Sequence, residues 1–224
     1  MPLALRRAAA ILAALAPFVA PFLAPGGGPA AAHPHGWIDV RVAVLFDPDG
    51  RVTALRQTWL FDEAYTAFVA EGADPDGDGR PNQDLLDELL TLNMQNLADY
   101  HYFTLVEQAG RSLPFGTPAD LSTRIVDGRL ETVFRLPLAV PAAPREAALA
   151  YKVYDPTYYL EVLHLEGGAA VHLEGAPADC HARLLPANPT AGEVAMAAAL
   201  DVTDSGGEGL GALFAETVHL ACGE

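Results

Sequence analysis

Apolar and polar residues alternate in two neighbouring segments, residues 38–46 and 51–61. A period of two is typical of a strand with one buried face. The tetrapeptide Asp47-Pro48-Asp49-Gly50 separates the two segments and favours a tight turn. The pattern therefore predicts an N-terminal β-hairpin.

The period then changes to that of a helix. Apolar residues share one face over residues 62–70, and leucines recur at helical spacing over residues 82–97. An acidic, glycine-containing segment, residues 74–80, lies between them. We therefore expect a helix–loop–helix insertion, residues 62–98, after the first hairpin.

The remaining pattern predicts mostly strands. Asp127-Gly128 favours a further hairpin, whereas residues 186–212 show little pattern apart from an alanine-rich piece, so a flexible segment or a short helix is expected there. The fold class is α+β, a mostly antiparallel β domain with an EF-hand-like helix–loop–helix insertion. The predicted strands are residues 100–108, 113–115, 120–126, 130–136, 147–154, 158–165, 170–173, 181–185 and 213–221.

The N-terminus has the organisation of a secretory signal peptide, residues 1–32. Arg6 and Arg7 precede an apolar run, a Gly/Pro breaker follows, and Ala30 and Ala32 supply small residues before the cut. Cleavage one or two residues earlier, or an uncleaved anchor, is the alternative. No later segment approaches the ~20 apolar residues of a membrane span. We expect residues 33–224 to form a single exported domain with no membrane span after cleavage.

Charge argues against a nucleic-acid partner. The formal net charge is −16, and it becomes −18 when the two arginines of the signal peptide are removed. Such a chain repels nucleic acid and anionic lipid and attracts cations.

Cys180 and Cys222 are the two cysteines, and export places both in an oxidising compartment. A disulfide between them would close a loop of about 43 residues, which the chain-entropy model values at about 4 kcal/mol. Two unpaired thiols, or a soft metal pair, are the alternatives.

The acidic segment matches the first half of an EF-hand calcium loop. Carboxylates at positions one, three and five converge on the cation, and Gly79 stands at the sixth position, which requires a sharp turn. Leu85 stands at the twelfth position, where a bidentate Glu is usual. The missing acid could be replaced by Asp84, Asp87 or Glu88. The alternative is an acidic turn that binds no cation. The predicted calcium ligands are Asp74, Asp76, Asp78, Arg80 (through its carbonyl) and Asn82.

His33 and His35 are spaced so that, in an extended segment, both imidazoles project to the same side. Neutral imidazole suits Zn²⁺, Ni²⁺, Co²⁺ and Cu²⁺. After cleavage, the α-amine of His33 adds a third nitrogen, whereas Pro34 lacks the N–H that a backbone-amide chelate needs. We predict a transition-metal site at His33 and His35, with His101 and Asp155 as further ligands. A disordered new terminus is the alternative.

The order of several motifs resembles a known family. The motifs are "HPHGWIDVRVAVLFDPDGRVTALRQTWLFDEAY", "DPDGDG", "YFT", "VYDPTYY" and the two late cysteines. They resemble the periplasmic components of uncharacterised ABC-type transport systems, the domain of unknown function 1007 family. The resemblance implies a periplasmic protein of a family that has no established enzyme activity and is usually encoded beside membrane permeases of the nickel/cobalt-efflux type.

Two functions follow as expectations. The first is a periplasmic metal-binding accessory protein of a zinc, nickel or cobalt transport system. The second is a calcium-stabilised extracytoplasmic interaction module without a transition-metal role. A copper monooxygenase with an N-terminal histidine brace is disfavoured, because the sequence shows neither a placed second histidine nor a flat substrate face. The chain also lacks a nucleophile elbow, a phosphate loop, HExxH and CxxC, so we expect no enzyme.

Overall fold

In the computed structural model, which describes residues 34–167, 170–200, 207 and 209–223, the two alternating segments pair antiparallel as predicted. Ile38, Val40, Val42 and Val44 all face the core, and the residues between them are more exposed. The predicted signal peptide and His33 lie outside the described residues.

Eleven strands and four α-helices are found in the described part of the chain. The strands are β1 (Gly36–Phe46), β2 (Val52–Phe61), β3 (Thr104–Gln108), β4 (Arg111–Ser112), β5 (Ala119–Val126), β6 (Arg129–Ala142), β7 (Leu149–Val153), β8 (Leu160–His164), β9 (Val171–Glu174), β10 (Cys180–Leu185) and β11 (Thr217–Cys222). The helices are α1 (Glu63–Gly72), α2 (Gln83–Leu97), α3 (Ala191–Ala198) and α4 (Leu210–Phe214), with a 3₁₀ helix over Ala98–Phe103.

The strands form two sheets. The first sheet has the order β5-β6-β2-β1, and β8 and β9 both pair with the remaining edge of β1. The second sheet has the order β10-β11-β7-β3-β4. The pairs β1–β8 and β1–β9 are parallel, and the other described pairs are antiparallel. The expected α+β class with much antiparallel β structure is therefore confirmed.

One contiguous apolar cluster draws on both sheets and on α1 and α2. A buried polar chain joins the sheets within it. The Trp59 indole N–H donates to Gln57 Oε1 at 2.8 Å, and Gln57 Nε2 donates to Thr104 Oγ1 at 2.8 Å. Gln57 lies on β2 and Thr104 on β3, so a fully buried amide has both ends satisfied, as a buried polar group requires.

Side-chain caps explain where the two inserted helices begin. Asp62 Oδ1 accepts the backbone N–H of Tyr65 at 2.9 Å, and its Oδ2 accepts that of Trp37 at 3.0 Å. The same carboxylate therefore caps α1 and attaches it to β1. Asn82 caps α2 by accepting the backbone N–H of Asp84 at 2.8 Å. Such caps are each worth about 1 kcal/mol.

The predicted strand over residues 100–108 is wrong in its first half. His101, Tyr102 and Phe103 have positive φ angles of 52°, 56° and 54°, and β3 begins only at Thr104. The Phe103 ring is buried and stacks on Trp59 with a centroid distance of 5.9 Å. Left-handed backbone is costly for such residues, so tertiary packing of Phe103 overrides the local β preference here.

The predicted disulfide between Cys180 and Cys222 is present. The two residues face each other across the antiparallel pair of β10 and β11. No helix in the described ranges is long and apolar enough to cross a membrane.

Candidate functional site

The acidic loop between α1 and α2 brings its three aspartates together. One oxygen from each of Asp74, Asp76 and Asp78 lies within 4.8 Å of the other two. Within the described ranges these are the residues that group as a potential metal site from His, Cys, Asp and Glu. Carboxylate oxygens at this spacing are suited to a hard divalent cation such as Ca²⁺.

Backbone N–H groups hold Asp74 in place. Asp74 Oδ1 accepts the N–H of Asp78 at 3.1 Å, and its Oδ2 accepts the N–H of Gly79 at 2.8 Å. Gly77 and Gly79 have φ angles of +70° and +79°, which glycine adopts without a steric penalty. The Gly79 N–H contributes most to lowering the pKa of Asp74 below its ordinary value of 3.8, because a hydrogen bond to the carboxylate favours its ionised form.

The second half of the loop provides the N-terminal cap of α2. The Asn82 side-chain oxygen accepts two backbone N–H groups, those of Asp84 and Leu85, as the helix cap. Leu85 packs against the apolar core. This packing explains why an apolar residue stands at the twelfth position of the loop. A carboxylate at this position would lose the contact with the core. Asn82 as a calcium ligand stays a prediction, as does the Arg80 carbonyl.

Of the predicted histidine pair, the structure describes His35. Its backbone N–H donates to the Tyr159 carbonyl at 2.8 Å, and its ring lies 4.5 Å from the Tyr159 ring. These contacts place the entry to β1 against the turn that precedes β8.

Asp155 is buried and closes a turn. Its Oδ1 accepts the N–H and the hydroxyl of Thr157, both at 2.8 Å, and its Oδ2 accepts the N–H of Leu160 at 3.0 Å. His101 lies in the left-handed turn and is exposed. Neither residue belongs to the converging group found in the described ranges, so their role as metal ligands stays a prediction.

The sequence did not predict a buried pair that His164 and Glu216 form. The His164 ring Nδ1 lies 3.0 Å from Glu216 Oε2, and the same oxygen accepts the His164 backbone N–H at 2.6 Å. Tyr151 Oη lies 3.4 Å from His164 Nε2. The His164 side chain is only 1% exposed. His164 is on β8 and Tyr151 on β7, so the pair lies between the two sheets.

Ionisation of Glu216 stabilises the folded protein. Burial raises the pKa of Glu216, but the hydrogen bonds from the ring and backbone of His164 outweigh burial and hold the pKa below 4.5. Burial, and then the charge of Glu216, raises the pKa of the Tyr151 hydroxyl. Because the folded pKa of Glu216 is lowered, its contribution is fully present above the unfolded pKa and is lost as pH falls through the folded pKa.

We expect Glu216→Gln to lower the free energy of unfolding by about 2 kcal/mol at pH 7, since charge-assisted hydrogen bonds are lost. The difference from the wild type should shrink as pH falls below 4.5, the ordinary pKa of the group, because the unfolded carboxylate then takes up a proton before the folded one does. Urea denaturation at pH 7, 5.5 and 4 measures this, with Glu88→Gln on the exposed face of α2 as the matched control. A difference that is constant across this range would contradict the role of the charge.

Comparison with known proteins assigns the chain to a family. A family model described as "Protein of unknown function (DUF1007)" matches residues 18–222. A protein of Haemophilus influenzae, named "Uncharacterized protein", is 25% identical over 194 residues, which cover 85% of this chain and 91% of the relative. No solved structure matches the chain. Because the family model covers nearly the whole sequence, the protein belongs to the DUF1007 family.

Proposed function

We propose that this protein is an exported cation-binding domain whose acidic loop binds Ca²⁺. The observation that carries the proposal is the convergence of Asp74, Asp76 and Asp78, with oxygens within 4.8 Å of one another, in a loop between two helices. The backbone N–H bonds from Asp78 and Gly79 to Asp74 support the proposal, since they hold one of the three carboxylates in place. The disulfide supports export, since such bonds form in oxidising compartments.

Calcium would act on this loop by neutralising its charge. Three carboxylates this close repel one another, and a divalent cation removes that repulsion while linking the end of α1 to the start of α2. The absence of an acid at Leu85 removes the bidentate ligand that usually completes the shell. We therefore expect weak binding, with a Kd of about 10⁻⁴–10⁻³ M, as in extracellular modules. The helix pair would then be a calcium-stabilised interaction module.

The second candidate is a periplasmic accessory protein that captures Zn²⁺, Ni²⁺ or Co²⁺ for a nickel/cobalt-type permease, in an ABC-type or similar transport system. Its support is the position of His35, which Tyr159 holds at the start of β1. If cleavage makes His33 the N-terminus, the mature chain would begin two residues before His35, at this surface. His33 and His35 would supply imidazole nitrogens and the α-amine, with His101 and Asp155 as further candidates.

Two measurements test the two candidates, both on mature protein that begins at His33 without a tag, and the first is thermal unfolding with and without Ca²⁺. At a Ca²⁺ concentration of about five times the Kd, calcium should stabilise the wild type by about 1 kcal/mol, which raises Tm by about 2–4 °C. Asp76→Asn should abolish this rise because it removes one converging charge. Asp49→Asn is the matched control, since Asp49 occupies the same place in the hairpin turn Asp47-Pro48-Asp49-Gly50.

The outcomes separate the two functions. A Tm rise that survives Asp76→Asn, or no rise at all, would overturn the calcium proposal. Calorimetric titration with Zn²⁺, Ni²⁺ and Co²⁺ then addresses the histidines, and the double variant His33→Ala and His35→Ala should lose the binding of these ions while its calcium response persists. Unchanged transition-metal binding in the double variant would reject this site.

A further inference from the structure

A cavity of about 200 Å³ lies between the helix pair and the first sheet. Its floor includes Trp59 and Phe61 of β2, and its roof includes Leu86, Leu90 and Met94 of α2. These five residues are all buried. The cavity is partly open to solvent, and apolar surface left in contact with water is unfavourable by about 25 cal/mol per Å², so a ligand of matching shape would gain free energy by covering it.

Four aromatic residues line the cavity. The rings of Trp59 and Phe103 stack with their centroids 5.9 Å apart, and those of Phe61 and Tyr65 stack at 4.7 Å. Trp59 and Phe61 themselves meet edge-on at 6.3 Å. Flat and edge-on ring surfaces in one wall favour a further ring, because aromatic pairs gain from offset-stacked and edge-to-face contacts beyond their buried area.

Polar side chains also line the cavity. Asn93 of α2 and Tyr65 of α1 both line it. Thr123 and Thr132 are further polar lining residues, and their hydroxyls lie 3.4 Å apart. The described residues that line the cavity include no Asp, Glu, Lys or Arg. A charged ligand would therefore lose its hydration without gaining a partner charge, which is strongly unfavourable.

We propose that this cavity binds a small neutral molecule with one aromatic ring and one hydroxyl group. A dry cavity of about 150 Å³ is enough to take benzene, so about 200 Å³ holds one ring with a small substituent. The ring lies among Trp59, Phe61 and Phe103, and the hydroxyl bonds to Asn93. The ligand thus differs in chemistry from the cation of the acidic loop, and binding requires no metal.

Phenol is the probe that tests this site, in the presence of a chelator so that the acidic loop is empty. Titration into isotopically labelled protein should give saturable NMR shifts of the Leu86, Leu90 and Met94 methyl groups, with a Kd of about 1 mM or tighter. Intermolecular NOEs from the phenol ring protons to these methyl groups should be observed. Benzoate, which is charged, and toluene, which lacks the hydroxyl, should each bind at least about tenfold more weakly.

A matched pair of variants on α2 locates the site. Leu90→Phe adds volume at a cavity-lining residue and should weaken phenol binding by about tenfold or more. Leu92→Phe makes the same change at a residue that is 52% exposed and outside this cavity, and it should leave binding unchanged. If Leu90→Phe does not fold, the intermolecular NOEs in the wild type decide whether phenol binds in this cavity.

Three outcomes would overturn the proposal. The first is the absence of saturable methyl shifts or of NOEs in the wild type. The second is equal binding by Leu90→Phe and the wild type. The third is toluene or benzoate binding as tightly as phenol, since this would exclude recognition of a neutral hydroxyl by Asn93.

Discussion

Replacing both Cys180 and Cys222 by alanine is expected to lower the free energy of unfolding by about 4 kcal/mol, the chain-entropy value for a loop of this length. The two residues are 42 positions apart and are paired directly across β10 and β11. The bond lies at the end of β11, a strand of the second sheet in which Val218 and Leu220 are buried in the core. Without it, the unfolded chain gains conformational entropy and β11 loses its covalent link to β10.

Urea denaturation of oxidised wild type, reduced wild type and the double alanine variant measures this effect. Reduction of the wild type should produce a loss similar to that of the double variant, and a reducing agent should leave the variant itself unchanged. A loss below about 1 kcal/mol would show that the unfolded chain is restricted by other means or that the bond strains the folded state.

Replacing Gly211 by alanine is expected to destabilise the protein by about 3 kcal/mol or more, because there is no space for a methyl group. A Cβ atom at this position would lie 1.8 Å from the Asp155 carbonyl oxygen and 2.9 Å from its carbonyl carbon. Both are backbone atoms, so no rotation of a side chain relieves the clash. Helix α4 would have to move away from the turn that Asp155 closes.

Such a movement breaks several contacts at once. The N–H groups of Gly209 and Gly211 both donate to the Pro156 carbonyl at 3.2 Å, and Phe214 of α4 stacks on Tyr158 with a centroid distance of 4.2 Å. Gly72→Ala is the matched control, since it lies at the end of α1 with no atom within 4 Å of the added methyl. It should be neutral or stabilising by up to about 1 kcal/mol. If Gly211→Ala and Gly72→Ala lose equal stability in thermal and urea unfolding, the close approach of Gly211 to the Asp155 backbone would be contradicted.

Local signals carried the successful predictions of structure. The hairpins formed around Asp47-Pro48-Asp49-Gly50 and Asp127-Gly128 depend on residues only a few positions apart, and both are present. The two inserted helices likewise begin beside residues whose side chains cap them, Asp62 and Asn82. The disulfide was predicted from two cysteines in a chain with a predicted export signal.

Long-range contacts explain what sequence reasoning missed. Glu216 stands 52 positions after His164, and no spacing rule links them. The left-handed turn at His101–Phe103 results from burial of Phe103 against Trp59, which the alternation of residues 100–108 does not reveal. Asp155, predicted as a metal ligand, has both oxygens bonded within its own turn.

By itself, the sequence determined the α+β class, the hairpins, the helix pair and the three aspartates of the acidic loop, because each depends on residues close together along the chain. Only the tertiary structure decided that Leu85 packs against the core and that a ring-lined cavity lies beneath the helix pair. These features arise where elements distant in sequence pack together, and packing depends on shape and volume in three dimensions rather than on a period along the chain.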